Sequence, residues 1–169
     1  MFQEHLGTIG DIRDPTYSEP IVKRWNAKLS GADAFLVVTA EYLHSIPGVL
    51  KNAMDSIFLS YAFRNKPLGA VGYSVAAAGG ARAVEQLMLI AIECEAAPLR
   101  NTVLIPHVGT AFDDAGNPRD PMTTAALTIT LDDLAWWSGA LATARAAGSL
   151  PPGNARIRAA MARLAAPTP

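Results

Sequence analysis

The feature that most constrains the fold is an unbroken apolar run, residues 34–38, that ends in a short polar turn and is followed by a helical pattern. Such a run suits a parallel strand covered on both faces better than a half-exposed strand, which would alternate apolar and polar residues. After the turn, Pro47 stands where the first position of a helix tolerates a residue without an N–H. The residues that then recur at helical spacing are Leu50, Ala53, Met54, Ile57, Phe58 and Tyr61. The segment predicts a strand, a turn and an amphipathic helix.

The same alternation of strand and helix continues along the chain. The predicted strands are residues 34–39, 68–74 and 102–105. Helical patterns cover residues 81–95 and 132–147, and the second of these ends near Gly148. Alternating strands and helices imply parallel βαβ units with right-handed crossovers. We therefore expect an α/β fold with helices on both faces of a parallel sheet.

Composition and charge fit one folded domain and exclude two classes of partner. Of the 169 residues, 50% are hydrophobic and 17% are charged, which is enough to bury a single core. A net charge of −1 with scattered Lys and Arg offers no basic stripe for a nucleic acid. No apolar stretch reaches the roughly 20 residues that cross a bilayer, and the amino terminus lacks a signal-peptide pattern. We expect a cytoplasmic protein that does not enter membranes.

Cysteine and histidine give no sign of a metal site. Cys94 is the single cysteine, so an internal disulfide and a multi-cysteine metal or iron–sulfur site are excluded. It follows the apolar stretch 87–92, which favours a buried thiol. The histidines are His5, His44 and His107, and none of them pair at ligand spacing on one helix. We predict no metal.

Two segments carry a recognisable pattern. Residues 41–55 contain Glu-Tyr, then Pro-Gly, then Leu-Lys-Asn-Ala followed by Asp. Residues 67–74 read Pro-Leu-Gly-Ala-Val-Gly-Tyr-Ser, and residues 78–83 read Ala-Gly-Gly-Ala-Arg-Ala. These segments resemble the signature and the glycine-bearing flavin loop of the NAD(P)H-dependent FMN reductases. The resemblance covers roughly residues 11–120 and includes a weaker match to an acidic turn after the last strand.

The resemblance implies a flavodoxin-like, three-layer parallel sheet with FMN lying across the carboxyl ends of the strands. Residues 1–150 would form this domain, and residues 151–169 a tail or a short helix. Two loops would supply backbone groups to the flavin ring, and small residues in the second would let the backbone approach it closely. The cofactor-binding residues implied are Glu41, Tyr42, Leu43, His44, Ser45, Ser74, Ala77, Ala78, Gly79 and Gly80.

The implied activity is transfer of a hydride from NADH or NADPH, through bound FMN, to a small acceptor such as free flavin, a quinone or an azo compound. Because the flavin carries the chemistry, no side chain is expected to be catalytic. Relatives of this kind form homodimers or homotetramers, with residues 47–63 and 81–95 near the interface. The resemblance leaves the acceptor and the choice between NADH and NADPH open.

Two competing interpretations remain at this point. The chain could be a non-enzymatic flavodoxin-like interaction module or a truncated, inactive homologue. A hydrolase using Ser45 or Ser74, with His107 as base, is disfavoured because neither serine lies in a Gly-x-Ser-x-Gly elbow. Flavin content would distinguish the interaction module or truncated homologue from the FMN-dependent oxidoreductase.

The amino-terminal part departs from the family pattern. Relatives open with a strand, a phosphate loop, a helix and a second strand, and a βαβ unit takes roughly 30 or more residues. Only residues 1–10 precede the segment that resembles the loop after the second strand. We therefore expect an N-terminally truncated sheet with an edge strand at residues 34–39. Two explanations are open: a natural start upstream of Met1, which we favour, or a degenerate protein or one that a partner completes.

The candidate loops also differ from the family in detail. Leu43 and His44 stand where relatives carry Asn-Gly, and His44 could bond to the ring or a substrate, or be a solvated loop residue. Arg82 follows the second loop at a helix start, where a cation opposes the helix dipole. It therefore needs a compensating partner, and a cofactor phosphate or a neighbouring subunit would serve.

Overall fold

The computed structural model describes residues 19–165, in which strands and helices alternate. The elements are α1 Pro20–Ser30, β1 Phe35–Ala40, α2 Gly48–Asp55, β2 Pro67–Tyr73, α3 Ala81–Glu93, β3 Ala97–Pro98, β4 Val103–Ile105, α4 Pro121–Ala147 and α5 Gly153–Ala165. The three strands predicted from sequence are present with ends shifted by one residue at most. The predicted helix 81–95 ends two residues earlier, at Glu93.

The sheet is parallel, and β2 is its middle strand. β1 pairs with β2 along its whole length, from Phe35 opposite Leu68 to Ala40 opposite Tyr73. On the other side, β2 pairs first with β3 and then, from Val71 onward, with β4. The carboxyl ends of β1, β2 and β4 therefore lie at one edge of the sheet.

Helices α3 and α4 cover opposite faces of β2. A Cβ added to Gly72 would lie 2.7 Å from Val84 Cγ2 of α3, whereas one added to Gly69 would lie 3.1 Å from Leu134 Cδ1 of α4. Gly69 and Gly72 have opposite side-chain directions because successive residues of a strand alternate between its faces. The predicted α/β fold with helices on both faces is confirmed.

β1 is covered differently from β2. Its residues Phe35 and Thr39 are buried, but Val38, on the opposite face, is 62% exposed. Within residues 19–165, β1 pairs with β2 alone. Its unbroken apolar sequence predicts burial on both faces, and the described residues bury one of them.

The long helix α4 begins earlier than the sequence pattern predicts. The prediction started at residue 132, but the helix starts directly after Asp120, whose side chain accepts a hydrogen bond from the Met122 N–H at 2.9 Å. The missed part is rich in β-branched residues, which have low helix propensity. In the helix, the Thr130 hydroxyl donates to the Ala126 carbonyl at 2.8 Å and so remains satisfied although buried.

The end of the described chain forms a helix, α5. The sequence had left open whether this segment is a tail or a short helix. The Gly153 N–H donates to Glu95 Oε1 at 2.6 Å, and Asn154 Nδ2 donates to the Tyr61 hydroxyl at 2.5 Å. These bonds attach the first turn of α5 to the segments that follow α2 and α3. None of the helices in residues 19–165 is both long and apolar enough to cross a membrane.

The single thiol lies in the core. Cys94 is 7% exposed, and burial raises its pKa to about 11. A thiol with such a pKa stays protonated at neutral pH and is a poor nucleophile. The predicted buried thiol is confirmed.

Candidate functional site

The loop after β1 ends in a tight two-residue turn. The Tyr42 N–H donates to the Ser45 carbonyl at 2.9 Å, and the Ser45 N–H donates to the Tyr42 carbonyl at 3.0 Å. Between them, Leu43 and His44 have φ values of 49° and 69°. Positive φ at both central residues defines a type I′ turn, for which Asn-Gly is the preferred pair. The Leu43 side chain is 101% exposed, so no packing offsets the backbone strain.

Glu41 links this loop to the start of α3. Its side chain is 5% exposed, and its Oε1 lies 2.5 Å from Arg82 Nη2. Its Oε2 accepts a hydrogen bond from the Arg82 backbone N–H at 3.3 Å. The Arg82 guanidinium holds the pKa of the Glu41 carboxyl below its ordinary value. The partner that Arg82 needs is therefore a residue of its own chain, where the sequence suggested a cofactor phosphate or a neighbouring subunit.

The amino terminus of α3 consequently already holds an anion. Helix amino termini attract negative charge through their free N–H groups and the helix dipole. Here the Glu41 carboxylate accepts from one of those N–H groups. A cofactor phosphate would have to be bound at another place.

His44 lies beside this ion pair. Its Nε2 is 3.5 Å from Arg82 Nη1, which is longer than an ordinary hydrogen bond between such groups. His44 is exposed, so its ring is open to a ligand or to water.

The two glycines of the second loop serve its packing against the sheet. Gly79 and Gly80 have φ values of 62° and 87°. A Cβ on Gly80 would lie 2.4 Å from the Tyr73 nitrogen, and one on Gly79 would lie 3.0 Å from the Pro106 nitrogen. The side-chain directions of both residues therefore point into the protein. Close approach to a flat ring, the reason given by the sequence, is not what requires glycine here.

A third segment, which follows β4, closes the same edge of the sheet. The Ser74 N–H donates to the Ile105 carbonyl at 3.1 Å, and the Val108 N–H donates to the Ser74 carbonyl at 3.0 Å. The Ile105 N–H in turn donates to the Gly79 carbonyl at 3.2 Å. The sequence analysis named His107 and the acidic turn in this segment, and Pro106 directly after a strand is a further sign of a loop. These bonds make the loops after β2 and β4 one connected surface.

Several backbone donors at this surface are free. The N–H groups of Leu43, His44 and Ala77 donate to no acceptor within residues 19–165. All three residues are exposed. Free amide donors can bond to carbonyl oxygens or ring nitrogens of a ligand.

The ten residues predicted to bind the cofactor all lie in the two loops at the carboxyl edge of the sheet. A hydrogen bond links the two loops, since the Glu41 N–H donates to the Tyr73 carbonyl at 3.0 Å. Their exposure differs. Tyr42, Leu43, His44 and Ala77 are exposed, Ser45, Ser74 and Ala78 are half-buried, and Gly79, Gly80 and the Glu41 side chain are buried. Direct contact with a ligand is open to the first two groups, whereas the third supports the loops.

The chain is similar to several proteins whose names describe reductases. The model of a family described as NADPH-dependent FMN reductase matches residues 5–110. An NAD(P)H-dependent FMN reductase of Pseudomonas aeruginosa is 34% identical over 121 residues, which are 70% of this chain and 65% of the relative. A quinone reductase of Pseudomonas putida is 33% identical over 144 residues, which are 76% of this chain and 74% of the relative.

The chain spans only part of some relatives, as 44% of an NAD(P)H-dependent FMN reductase of Schizosaccharomyces pombe is covered at 33% identity. Among solved structures, the flavoenzyme NAD(P)H:(acceptor) oxidoreductase FerB of Paracoccus denitrificans is similar, with a TM-score of 0.62 and 21% identity. This match covers 82% of the chain and 87% of that structure. It confirms the predicted flavodoxin-like fold.

Proposed function

This chain belongs to the NADPH-dependent FMN reductase family, and from that membership we propose that it is an FMN-dependent oxidoreductase that passes a hydride from NADH or NADPH to a small acceptor. The names of its relatives favour a quinone or a free flavin as acceptor. The proposal concerns the activity of the whole protein. The described residues supply its sheet and the two loops that would contact the flavin ring.

The observation that carries the proposal is the pair of loops at the carboxyl ends of β1 and β2. At the exposed residues Leu43, His44 and Ala77, the backbone N–H groups donate to no acceptor within residues 19–165, and hydrogen bonds to the sheet hold both loops. In open parallel sheets this edge is where ligands bind. The described residues therefore fit the ring of a flavin.

The chain's own residues would bind and orient the cofactor. Tyr42, Leu43, His44 and Ser45 would line one side of the ring, and Ser74, Ala77 and Ala78 the other, with Glu41, Gly79 and Gly80 holding the loops. Bound FMN would supply the hydride chemistry, so the protein needs no nucleophile or general acid for it. Because Glu41 occupies the start of α3, this helix would not hold the FMN phosphate.

We extend the proposal to the assembly and location of the protein. A homodimer or homotetramer in the cytoplasm agrees with the family resemblance, with the composition and with several apolar side chains exposed on α3 and α5.

Flavin binding tests the proposal directly. The purified full chain should quench FMN fluorescence on titration and should then oxidise NADPH or NADH in the presence of a quinone. Replacing exposed Ala77 by leucine adds bulk beside its free N–H and should weaken FMN binding by about tenfold or more, which is about 1.4 kcal/mol.

The matched control is Ala144→Leu, an exposed alanine on α4. This control should leave FMN affinity within about twofold of wild type, a change below about 0.5 kcal/mol. No FMN binding by the folded wild-type chain would overturn the proposed function. Equal affinity of the Ala77→Leu variant and its control would overturn the assigned site.

A further inference from the structure

Helix α5 is attached to the rest of the described chain through its first turn. The bonds from Gly153 to Glu95 and from Asn154 to Tyr61 hold that turn. Farther along, residues 158–165 are all exposed except Ala160, which is half-buried. A helix of 13 residues is marginally stable in water unless its apolar side is packed against something. Within residues 19–165 that side of α5 is open to a partner.

The open side of α5 is an apolar stripe with an arginine on each flank. Ile157, Met161 and Leu164 form the stripe, lie on one helix face at i, i+4 and i+7, and are each 62% exposed or more. At 3.6 residues per turn, Arg158 lies about 100° to one side of Ile157, and Arg156 lies about 100° to the other side. Both guanidinium groups can therefore border the same apolar surface.

The positive charge of this region has no acidic counterpart close in sequence. Residues 145–169 contain four arginines and no acidic residue, although the whole chain has a net charge of −1. The arginines of α5 form no ion pair within the part of the chain that the structure describes. The partner that complements α5 therefore combines negative charge with an apolar surface.

We propose that α5 lies in the surface of a membrane that contains anionic lipids. An amphipathic helix of this kind places its apolar side at the boundary between headgroups and acyl chains, and its cationic residues bind anionic headgroups. Arginines on both flanks suit a flat surface, because each can extend its guanidinium to a phosphate or carboxylate while its stem covers the stripe. An acidic groove on another protein fits the charge, but this stripe contains no aromatic residue of the kind that anchors protein interfaces.

The contact would leave the candidate flavin site open. Tyr61 precedes β2 and Glu95 precedes β3, so α5 is attached at the amino edge of the sheet, whereas the two loops of the site lie at its carboxyl edge. Exposed apolar residues on α3 remain available for contacts between copies. The helix would lie in the bilayer surface and would not cross it, and the inference does not rest on flavin binding.

Vesicle sedimentation of the purified full chain tests the proposal. At low salt, the wild type should sediment with vesicles of phosphatidylcholine and phosphatidylserine, should not sediment with phosphatidylcholine alone, and should be released as the salt concentration rises. Arg158→Gln with Arg163→Gln removes two charges and should weaken binding by about tenfold or more. Met161→Gln with Leu164→Gln removes the apolar contact and should weaken binding by a similar factor, about tenfold.

Each variant has a matched control. Lys23→Gln with Arg24→Gln removes two exposed positive charges near the start of α1, at the opposite edge of the sheet. Met122→Gln with Ile129→Gln removes two exposed apolar side chains of α4. Both controls should keep the wild-type affinity for the vesicles within about twofold, since screening limits the effect of distant charges. Circular dichroism should show the same helix content in all four variants.

Several results would overturn the proposal. The first is a wild type that binds none of the vesicles, which would leave a protein with an acidic groove as the partner of α5. The others are equal losses in the α5 variants and their controls, or an unchanged affinity in either α5 variant. FMN titration of the same samples reports the proposed function separately, and the α5 variants should bind FMN as the wild type does.

Discussion

The loops after β1 and β2 both turn the chain through left-handed backbone, but they do so with different residues. The first loop uses Leu43 and His44, and the second uses Gly79 and Gly80. In the second loop a side chain would collide with the backbone of β2 or β4. In the first loop the side chains point outward, and Leu43 is free of contacts that would bury it.

This difference separates two reasons for glycine. A left-handed conformation alone costs a non-glycine residue about 1–2 kcal/mol, which a folded domain can tolerate once or twice. Where backbone lies against the missing Cβ, a substitution costs more, and most at Gly80, whose Cβ would lie 2.4 Å from the Tyr73 nitrogen. The first loop is therefore free to carry side chains that meet a ligand, and the second loop is fixed by the sheet.

The largest effect is expected at Gly80. Its φ is 87°, and a Cβ would lie 2.4 Å from the Tyr73 nitrogen. Gly80→Ala should lower the free energy of unfolding by roughly 3–4 kcal/mol, because overpacking adds to the conformational cost. Urea unfolding of the purified variant measures this loss.

Gly116→Ala is the control that isolates the conformational part. Gly116 has nearly the same φ, 83°, and nothing lies within 4 Å of its added Cβ. This variant should lose only about 1 kcal/mol. Equal losses at Gly80 and Gly116 would contradict the claim that packing requires glycine in the second loop.

Gly79→Ala should have an intermediate effect. Its added Cβ would lie 3.0 Å from the Pro106 nitrogen, so a small shift of the third segment relieves the contact. We expect a loss of about 2 kcal/mol in urea unfolding. A loss as small as that of Gly116→Ala would show that the loop after β4 shifts to accommodate the added Cβ without further cost.

The ion pair between the two loops should appear as a pH dependence. Arg82 lowers the pKa of Glu41 from its ordinary value of 4.5. A carboxyl with a lowered folded pKa binds fewer protons in the folded state than in the unfolded state, so its stabilising contribution is present above pH 4.5 and is lost as pH falls through the folded value. Glu41→Gln should be less stable than wild type above pH 5, and the difference should shrink below about pH 4.5.

Asp132→Asn, an exposed acid on α4, is the control for this titration. Unfolding free energies measured from pH 3 to pH 7 should show no comparable convergence for this control. A constant gap between wild type and Glu41→Gln over that range would mean that the Arg82 contact does not stabilise the charged carboxyl.

Local patterns in the sequence were sufficient for the strands and for the loops that join them to α2 and α3. They did not predict α1 or the end of α2 at Asp55, and they were insufficient for two further features. The start of α4 was missed because threonines in a helix look unfavourable until their hydroxyls bond to the preceding turn, as Thr130 does to Ala126. The signal that could have found it is Asp120 followed by proline, an N-cap and a first helical position.

The partner of Arg82 could not be predicted from local pattern. Glu41 and Arg82 are 41 positions apart in sequence, and only the parallel pairing of β1 with β2 brings the loop after one to the helix after the other. The family resemblance implies that Glu41 binds the cofactor, and in the structure its side chain is 5% exposed and paired with Arg82. The pairing of β1 with β2, and not the local sequence, therefore determines that Glu41 contacts Arg82.

The smallest effect is expected in the first loop and has the opposite sign. Leu43→Asn with His44→Gly gives the type I′ turn its preferred pair and should raise the free energy of unfolding by about 1 kcal/mol. The same variant removes the imidazole beside Arg82 and the exposed Leu43 side chain. If these residues line the flavin, stability should rise while FMN affinity falls, which urea unfolding and FMN titration measure on one sample. A variant that gains stability and keeps its FMN affinity would show that the loop binds through its backbone, so the strain at Leu43 and His44 would serve no purpose in cofactor binding.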